Sequence, residues 1–259
     1  MLDWSFVASG ALVGLAVGLT GVGGGALMTP ILLIFFGISP STAIATDLWF
    51  AAITKIAGAA IHHRAKMVDW QVVRRLWCGS IVTASLVVGL IAFGYQPYKL
   101  NFLNKIIGYL IIITAIGLIL APNLLRMGRN WRLGDEANFK HFQPILTVIM
   151  GAVLGLIVST TSVGAGALGS IVLLYLYPLR MTPHRLVATD VAHAIPLAIV
   201  AGMGYLFAGL VDWWMLINLL LGSIPTVIIG STFAKRLPGR AIQVLIALIL
   251  LAAGAKLIF

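Results

Sequence analysis

The chain has 259 residues, of which 61% are hydrophobic and only 9% charged, and it carries a formal net charge of +10. A soluble domain carries about 25% charged residues, so there is too little polar surface here to coat a water-soluble globule. The excess Lys and Arg lie in short loops between apolar runs, where they set topology and meet anionic lipid headgroups, which argues against nucleic acid as a partner.

Several apolar runs approach or exceed the roughly 20 residues that cross a bilayer as a helix. They do not alternate apolar and polar residues as barrel strands would, so the spans are predicted to be helical. The start, Met1-Leu2-Asp3-Trp4, lacks a basic leader region, and the first apolar segment is expected to be retained.

That segment, residues 5–20, stops at the cluster Gly21-Val22-Gly23-Gly24-Gly25, and residues 26–37 continue it to Gly37-Ile38-Ser39-Pro40. The two pieces are short, about 24 and 18 Å by helical rise, and read together as a broken helix or a hairpin dipping into the membrane. Pro40 with Ser41 or Thr42 opens the next helix, 43–62, which ends in the basic loop His62-His63-Arg64-Ala65-Lys66. Adjacent histidines on a helix point apart, so they do not suggest a metal pair. Spans 71–94 and 103–121 complete a first half, residues 1–121. Cys78 is the single cysteine, which excludes an internal disulfide and a thiolate metal cluster.

Residues 122–143 read as a basic linker, with Arg126, Arg129, Arg132 and Lys140 and almost no apolar run. The second half, 144–259, then replays the first. Pieces 144–161 and 166–178 flank a second break, Thr161-Ser162-Val163-Gly164-Ala165-Gly166, and spans 185–208, 213–233 and 240–258 follow. Pro196 and Pro225 are expected to kink their spans. Pro40, Thr46, Asp47, Val68, Asp69, Trp70, Gly79 and Ser80 match Pro183, Thr189, Asp190, Val211, Asp212, Trp213, Gly222 and Ser223 at one constant offset.

Lys and Arg fix the orientation. The loop at Arg64, Lys66, Arg74 and Arg75 is expected inside, while its counterpart at Asp212 carries no Lys or Arg and is expected outside. The loop at Arg180 and Arg185, the turn at Lys235, Arg236 and Arg240, and the linker are basic and inside. The predicted fold is therefore all-α and polytopic. It has two inverted-topology repeats, each a glycine-broken hairpin followed by three spans. Matching interruptions in the two halves of a membrane protein point to a transport site.

Helix N-termini at the breaks would aim free N–H groups and a partial positive charge at the bilayer middle, and glycine lets a ligand approach the backbone. Candidate substrate-binding residues are Thr20, Gly21, Gly23, Gly24, Gly25, Thr46, Thr161, Ser162, Gly164, Gly166 and Thr189, with further hydroxyls at Ser159 and Thr160. Such paired nests hold an oxyanion without a fixed charge. The competing role for the glycines is close helix packing.

Asp47 and Asp190 are acids within apolar spans, which are costly and usually functional. Their expected role is to carry a coupling proton, against the alternative of a charge favouring the helix dipole. Lys55, two turns after Asp47, cannot reach it along one helix but could meet Asp190 or a substrate anion across the repeat axis; the alternative is snorkelling. His193, one turn after Asp190, suits a proton relay or a hydrogen bond between helices.

These residues resemble the TauE/SafE sulfite exporter family, also called the four-toluene sulfonate uptake family, over essentially the whole chain. The likeness rests on Gly21-Val22-Gly23-Gly24-Gly25 followed by Pro30, on Pro40 with Ala43 and Ala45-Thr46, on Val68-Asp69-Trp70, and on the duplication. It implies a bacterial inner-membrane carrier of small sulfur-containing or organic anions such as sulfite and sulfonates. The family's glycine motif falls on Gly21, Gly23, Gly24 and Gly25, with its duplicate on Gly164 and Gly166. Where the common family pattern has Thr-Ser, this chain has Thr46-Asp47 and Thr189-Asp190, and these acids mark proton or cation coupling.

The expected function is proton-coupled alternating access for a small anion, with export as the direction the resemblance implies. No ATP-binding loop of the G-x-x-x-x-G-K-[ST] type is present, and no cofactor or metal is expected. Membrane lipid and a coupling ion are the other partners, and a homodimer is open. The alternatives are an intramembrane enzyme using Asp47 and Asp190 as an acid pair, and a passive anion channel.

Overall fold

A computed structural model describes residues 2–20, 25–61, 67–93, 103–134, 136–164, 166–233 and 239–258. The described residues form ten helices and no strand: α1 (Trp4–Thr20), α2 (Gly25–Ile34), α3 (Pro40–Ile61), α4 (Trp70–Ala92), α5 (Leu103–Gly134), α6 (Glu136–Thr161), α7 (Ala167–Leu176), α8 (Pro183–Phe207), α9 (Trp213–Phe233) and α10 (Gly239–Ile258). The chain is all-helical, as its composition predicts. Trp70–Ile91, Phe142–Thr161, His184–Phe207 and Trp213–Phe233 are, among the described residues, long and apolar enough to cross a bilayer, with shorter apolar helices at Trp4–Thr20, Lys105–Leu120 and Gln243–Ile258. The 22-residue α3 is interrupted by Asp47 and Lys55.

Within the stretch 122–143, α5 runs on through Gly134 and α6 starts at Glu136. The apolar signal stops at 121, but Leu, Arg and Met sustain a helix without an apolar face to bury.

The packing interlocks the halves. The most extensive contacts are α1 on α9 and α6 on α4, followed by α5 on α10, α4 on α8, α3 on α8 and α3 on α9. Each first-half pairing thus has a counterpart from the second. Small residues let the backbones touch. A Cβ on Gly10 would lie 2.0 Å from the Leu219 carbonyl oxygen, and one on Gly14 2.5 Å from that of Ser223. On the other pair, a Cβ on Gly151 would lie 2.4 Å from Leu76 O, and one on Gly155 2.3 Å from Ser80 O.

The outer faces are apolar. Val82, Leu86 and Leu90, one turn apart on α4, are all more than half exposed. A face of this kind is stable in hydrocarbon. The polar residues lie inside: Thr29, Thr46, Asp47, Thr54, Lys55, Ser80, Thr161, Ser162, Thr189, Asp190, His193 and Ser223 are all buried.

The repeated Val-Asp-Trp loop has a definite structural use. Asp69 is the N-cap of α4 and accepts from Val72 N–H at 3.4 Å, and Asp212 accepts from Met215 N–H at 2.9 Å at the start of α9. The two sites differ in charge. Asp69 also pairs with Arg180 (Nε at 2.5 Å) and Arg185 (3.5 Å) from the loop and helix after α7. Loss of an Asp cap costs about 1 kcal/mol. Asp69→Ala should therefore lower the thermal midpoint in detergent more than Asp212→Ala does, because only the former also removes two arginine pairs. Equal losses would show that the arginine pairs contribute nothing.

Candidate functional site

Asp47 and Asp190 lie about two turns inside α3 and α8, past the first turn in which a helix dipole favours an acid, and both are fully buried, at 0% and 1% exposure. Asp47 Oδ2 accepts a hydrogen bond from Thr29 Oγ1 of α2. Ser162, at the second break, faces the same carboxyl, although neither Ser162 Oγ nor Asp47 Oδ1 makes a hydrogen bond of normal geometry. One acid therefore touches elements of both interrupted hairpins.

Asp190 pairs with Lys55. The ammonium lies 3.7 Å from Asp190 Oδ2, with the two side chains 3% and 1% exposed. Apart from this contact with Lys55, neither carboxylate oxygen of Asp190 makes a hydrogen bond. Gly169 of α7 backs onto the group, and a Cβ there would come within 2.3 Å of Asp190 Oδ1. Of the two partners considered for Lys55, the structure places Asp190 beside it, so the side chain does not snorkel to an interface. Thr54, its neighbour on α3, meets Ser223 of α9 at 3.1 Å.

His193 is held between helices. Its Nε2 lies 2.9 Å from Ser80 Oγ of α4, and its carbonyl accepts from Trp77 Nε1 at 3.2 Å. This is the interhelical hydrogen bond named as the alternative to a relay. His193 is also within electrostatic reach of Lys55.

The candidate hydroxyls divide into three groups. Thr46 Oγ1 accepts from Asp212 N–H at 3.2 Å, and Thr189 Oγ1 accepts from Asp69 N–H at 3.1 Å. These two bonds are counterparts, each tying one half's acid-bearing helix to the loop of a Val-Asp-Trp motif. Thr20 and Thr161 donate to the carbonyls of Ala16 and Ile157, each at 2.7 Å, so their protons are committed to their own helices. Ser162, with φ of 58°, leaves its hydroxyl turned into the buried interior with no hydrogen-bond partner.

At the second break, Gly164 has φ of 106°, a conformation that favours glycine. Gly166 caps α7 with no side-chain hydrogen bond to the helix. Gly25 is the first residue of α2. Gly21, Gly23 and Gly24 lie outside the described residues, as do His62, His63, Arg64 and Lys66. No group of three or more His, Cys, Asp or Glu able to hold a metal occurs among the described residues. Thr29, Gly169 and Ser80 were missed in the sequence. The pairing of Ser80 with Ser223 in the repeat was the available signal for one of them.

Comparison with known proteins supplies the family. The sequence model of the family described as Sulfite exporter TauE/SafE matches residues 6–257. The chain is 41% identical over 258 residues to the probable membrane transporter protein YjnA of Bacillus subtilis, covering 98% of this chain and 99% of that protein. It is 26% identical over 257 residues to the probable membrane transporter protein YdhB of the same organism, covering 96% and 97%. It is 25% identical over 200 residues to the probable membrane transporter protein MJ0441 of Methanocaldococcus jannaschii, covering 75% and 68%. No solved structure matches the chain. The family and these relatives are named for transport, which sets aside the intramembrane enzyme. With the family pattern spanning nearly the whole chain and apolar helices enclosing a polar centre, this multi-pass membrane protein belongs to the TauE/SafE sulfite exporter family of membrane transporters.

Proposed function

We propose that the protein is a proton-coupled secondary carrier that exports small sulfur-containing or organic anions, such as sulfite or sulfonates, across a bacterial inner membrane. The observation that carries this reading is the position of Asp47, a fully buried carboxyl set between Thr29 of the first interrupted hairpin and Ser162 of the second. An acid at that junction meets both halves, so its protonation can bias how they pack. The anion binds between the two breaks, where Gly25 and Gly166 open α2 and α7, and Ser162 supplies a hydroxyl not already committed to the protein.

The halves have opposite orientations, with the basic stretch 122–143 on the cytoplasmic side. Alternating access follows by rocking the α1–α9 pair, with α3, against the α4–α6 pair, with α8. The pairs α1 on α9 and α6 on α4 each take one helix from each half, and α3 and α8, which carry the acids, pack against each other.

Flux into proteoliposomes tests the reading. A pH gradient should drive uptake of sulfite or methanesulfonate by the wild type, with saturation. Asp47→Asn and Asp190→Asn should each abolish the pH-driven component while leaving yield from the membrane unchanged. Wild-type pH dependence in both variants would refute the coupling role, and flux that never saturates would favour a channel.

A further inference from the structure

We propose that Lys55 is the docking cation for the transported anion and Asp190 its resident counter-ion, exchanged so that one monovalent oxyanion moves with one proton. This rests on the carrier reading and deepens it by assigning the charge class of the substrate.

Three observations converge. No other Lys or Arg whose side chain is described is buried, so Lys55 is the fixed positive charge of the described interior. Its partner is weakly held: the 3.7 Å separation exceeds the roughly 2.7–2.9 Å of a charge-assisted hydrogen bond, and no group other than Lys55 bonds to either oxygen of Asp190. A carboxylate kept permanently in place would be expected to have those lone pairs filled. The pair is also unrepeated. The position matching Lys55 in the second half is Ala198, and the position matching His193 in the first is Phe50. The duplicated architecture therefore holds one such cation.

The surroundings of Asp190 are defined. Lys55 faces it from α3, and Gly169 closes it from α7 with no charge. On α8 itself His193 follows one turn later, tied to Ser80 of α4. An anion arriving at Lys55 displaces the carboxylate, which then has no counter-charge. A proton from the aqueous side that delivered the anion forms an O–H bond on Asp190. The site is neutral before the exchange and neutral after it. On the far side the O–H bond breaks, the proton and the anion leave, and Asp190 returns to Lys55. A dianion in the same place would leave one uncompensated negative charge in low dielectric, which is strongly disfavoured. The site therefore selects monoanions, and the cycle moves no net charge.

The test uses the full-length protein in proteoliposomes, with methanesulfonate and hydrogensulfite as monoanions and sulfate as dianion. Monoanion flux should follow the pH gradient and stay unchanged when a potassium diffusion potential of either sign is imposed. Excess sulfate should not compete. Lys55→Gln should lose about tenfold or more in methanesulfonate affinity. Asp190→Asn should keep that affinity, lose the pH dependence, and become sensitive to the imposed potential. Wild-type flux steered by the potential, competition by sulfate, or unchanged affinity in Lys55→Gln would each overturn the exchange. The wild-type measurements decide even if the variants fail to fold. Absence of flux for all three anions would instead overturn the carrier reading, and this inference with it.

Discussion

Gly222→Ala is expected to remove most of the folded protein from a detergent extract, although it adds a single methyl group. The new Cβ would lie 1.9 Å from Val7 O and 2.7 Å from Ala11 N. Both are backbone atoms of α1, so no side chain can swing aside; α1 and α9 have to separate. Overpacking typically costs about 1–3 kcal/mol and sometimes more, and separation of the most extensively packed helix pair belongs at the upper end. The matched substitution in the other half, Gly79→Ala, meets Val148 O at 2.0 Å and should behave alike. The control is Gly89→Ala on α4, where nothing lies within 4 Å of the new atom. There the gain in helix propensity, roughly 0.5–1 kcal/mol, should leave the yield unchanged or slightly raised. Monodisperse yield and thermal midpoint check the set. If Gly222→Ala and Gly89→Ala extract and melt alike, the two helices are not in backbone contact.

That contrast also marks how far the sequence could be read. The helical class and the order of the spans follow from hydropathy, because a run of apolar residues without alternation has one solution in lipid. The span read as 185–208 is the helix Pro183–Phe207, started by a proline after Thr182. Gly10, Gly14 and Gly18 recur every four residues on one face of α1, a packing pattern present in the sequence but less conspicuous than the denser cluster at 21–25. The matching Asp69 and Asp212 were legible as a repeat. Their partnership with Thr189 and Thr46 was not, because it runs between halves and depends on an interlocking that no local pattern encodes. Thr46 and Thr189 stand among the candidate binding groups, and their hydroxyls accept bonds from these loops. For Lys55 the sequence left two partners open, since charge and spacing on one helix do not say which residue of another lies opposite; the geometry places Asp190 there.

The ion pair gives the second large effect, and a double-mutant cycle isolates it. Lys55→Met leaves Asp190 buried without a counter-charge, and Asp190→Val removes the acid that faces Lys55. Breaking a buried pair from one side typically costs about 3–5 kcal/mol, whereas replacing both partners with apolar groups is often neutral. Each single variant should therefore melt well below the wild type, while Lys55→Met/Asp190→Val recovers most of the loss. Additive losses in the double variant would mean that the two side chains are not coupled, and the 3.7 Å approach would have no energetic content. Transport should be absent in Lys55→Met and in the double variant, because restoring the fold does not restore a cation to hold the anion. Ligand then separates structure from function within the same series. Methanesulfonate neutralises the stranded ammonium of Asp190→Val and should raise its midpoint, since a ligand that binds only the folded state stabilises it by mass action. It offers nothing to the stranded carboxylate of Lys55→Met, whose midpoint should not move. A rise in both variants, or in neither, would place the anion somewhere other than beside Lys55.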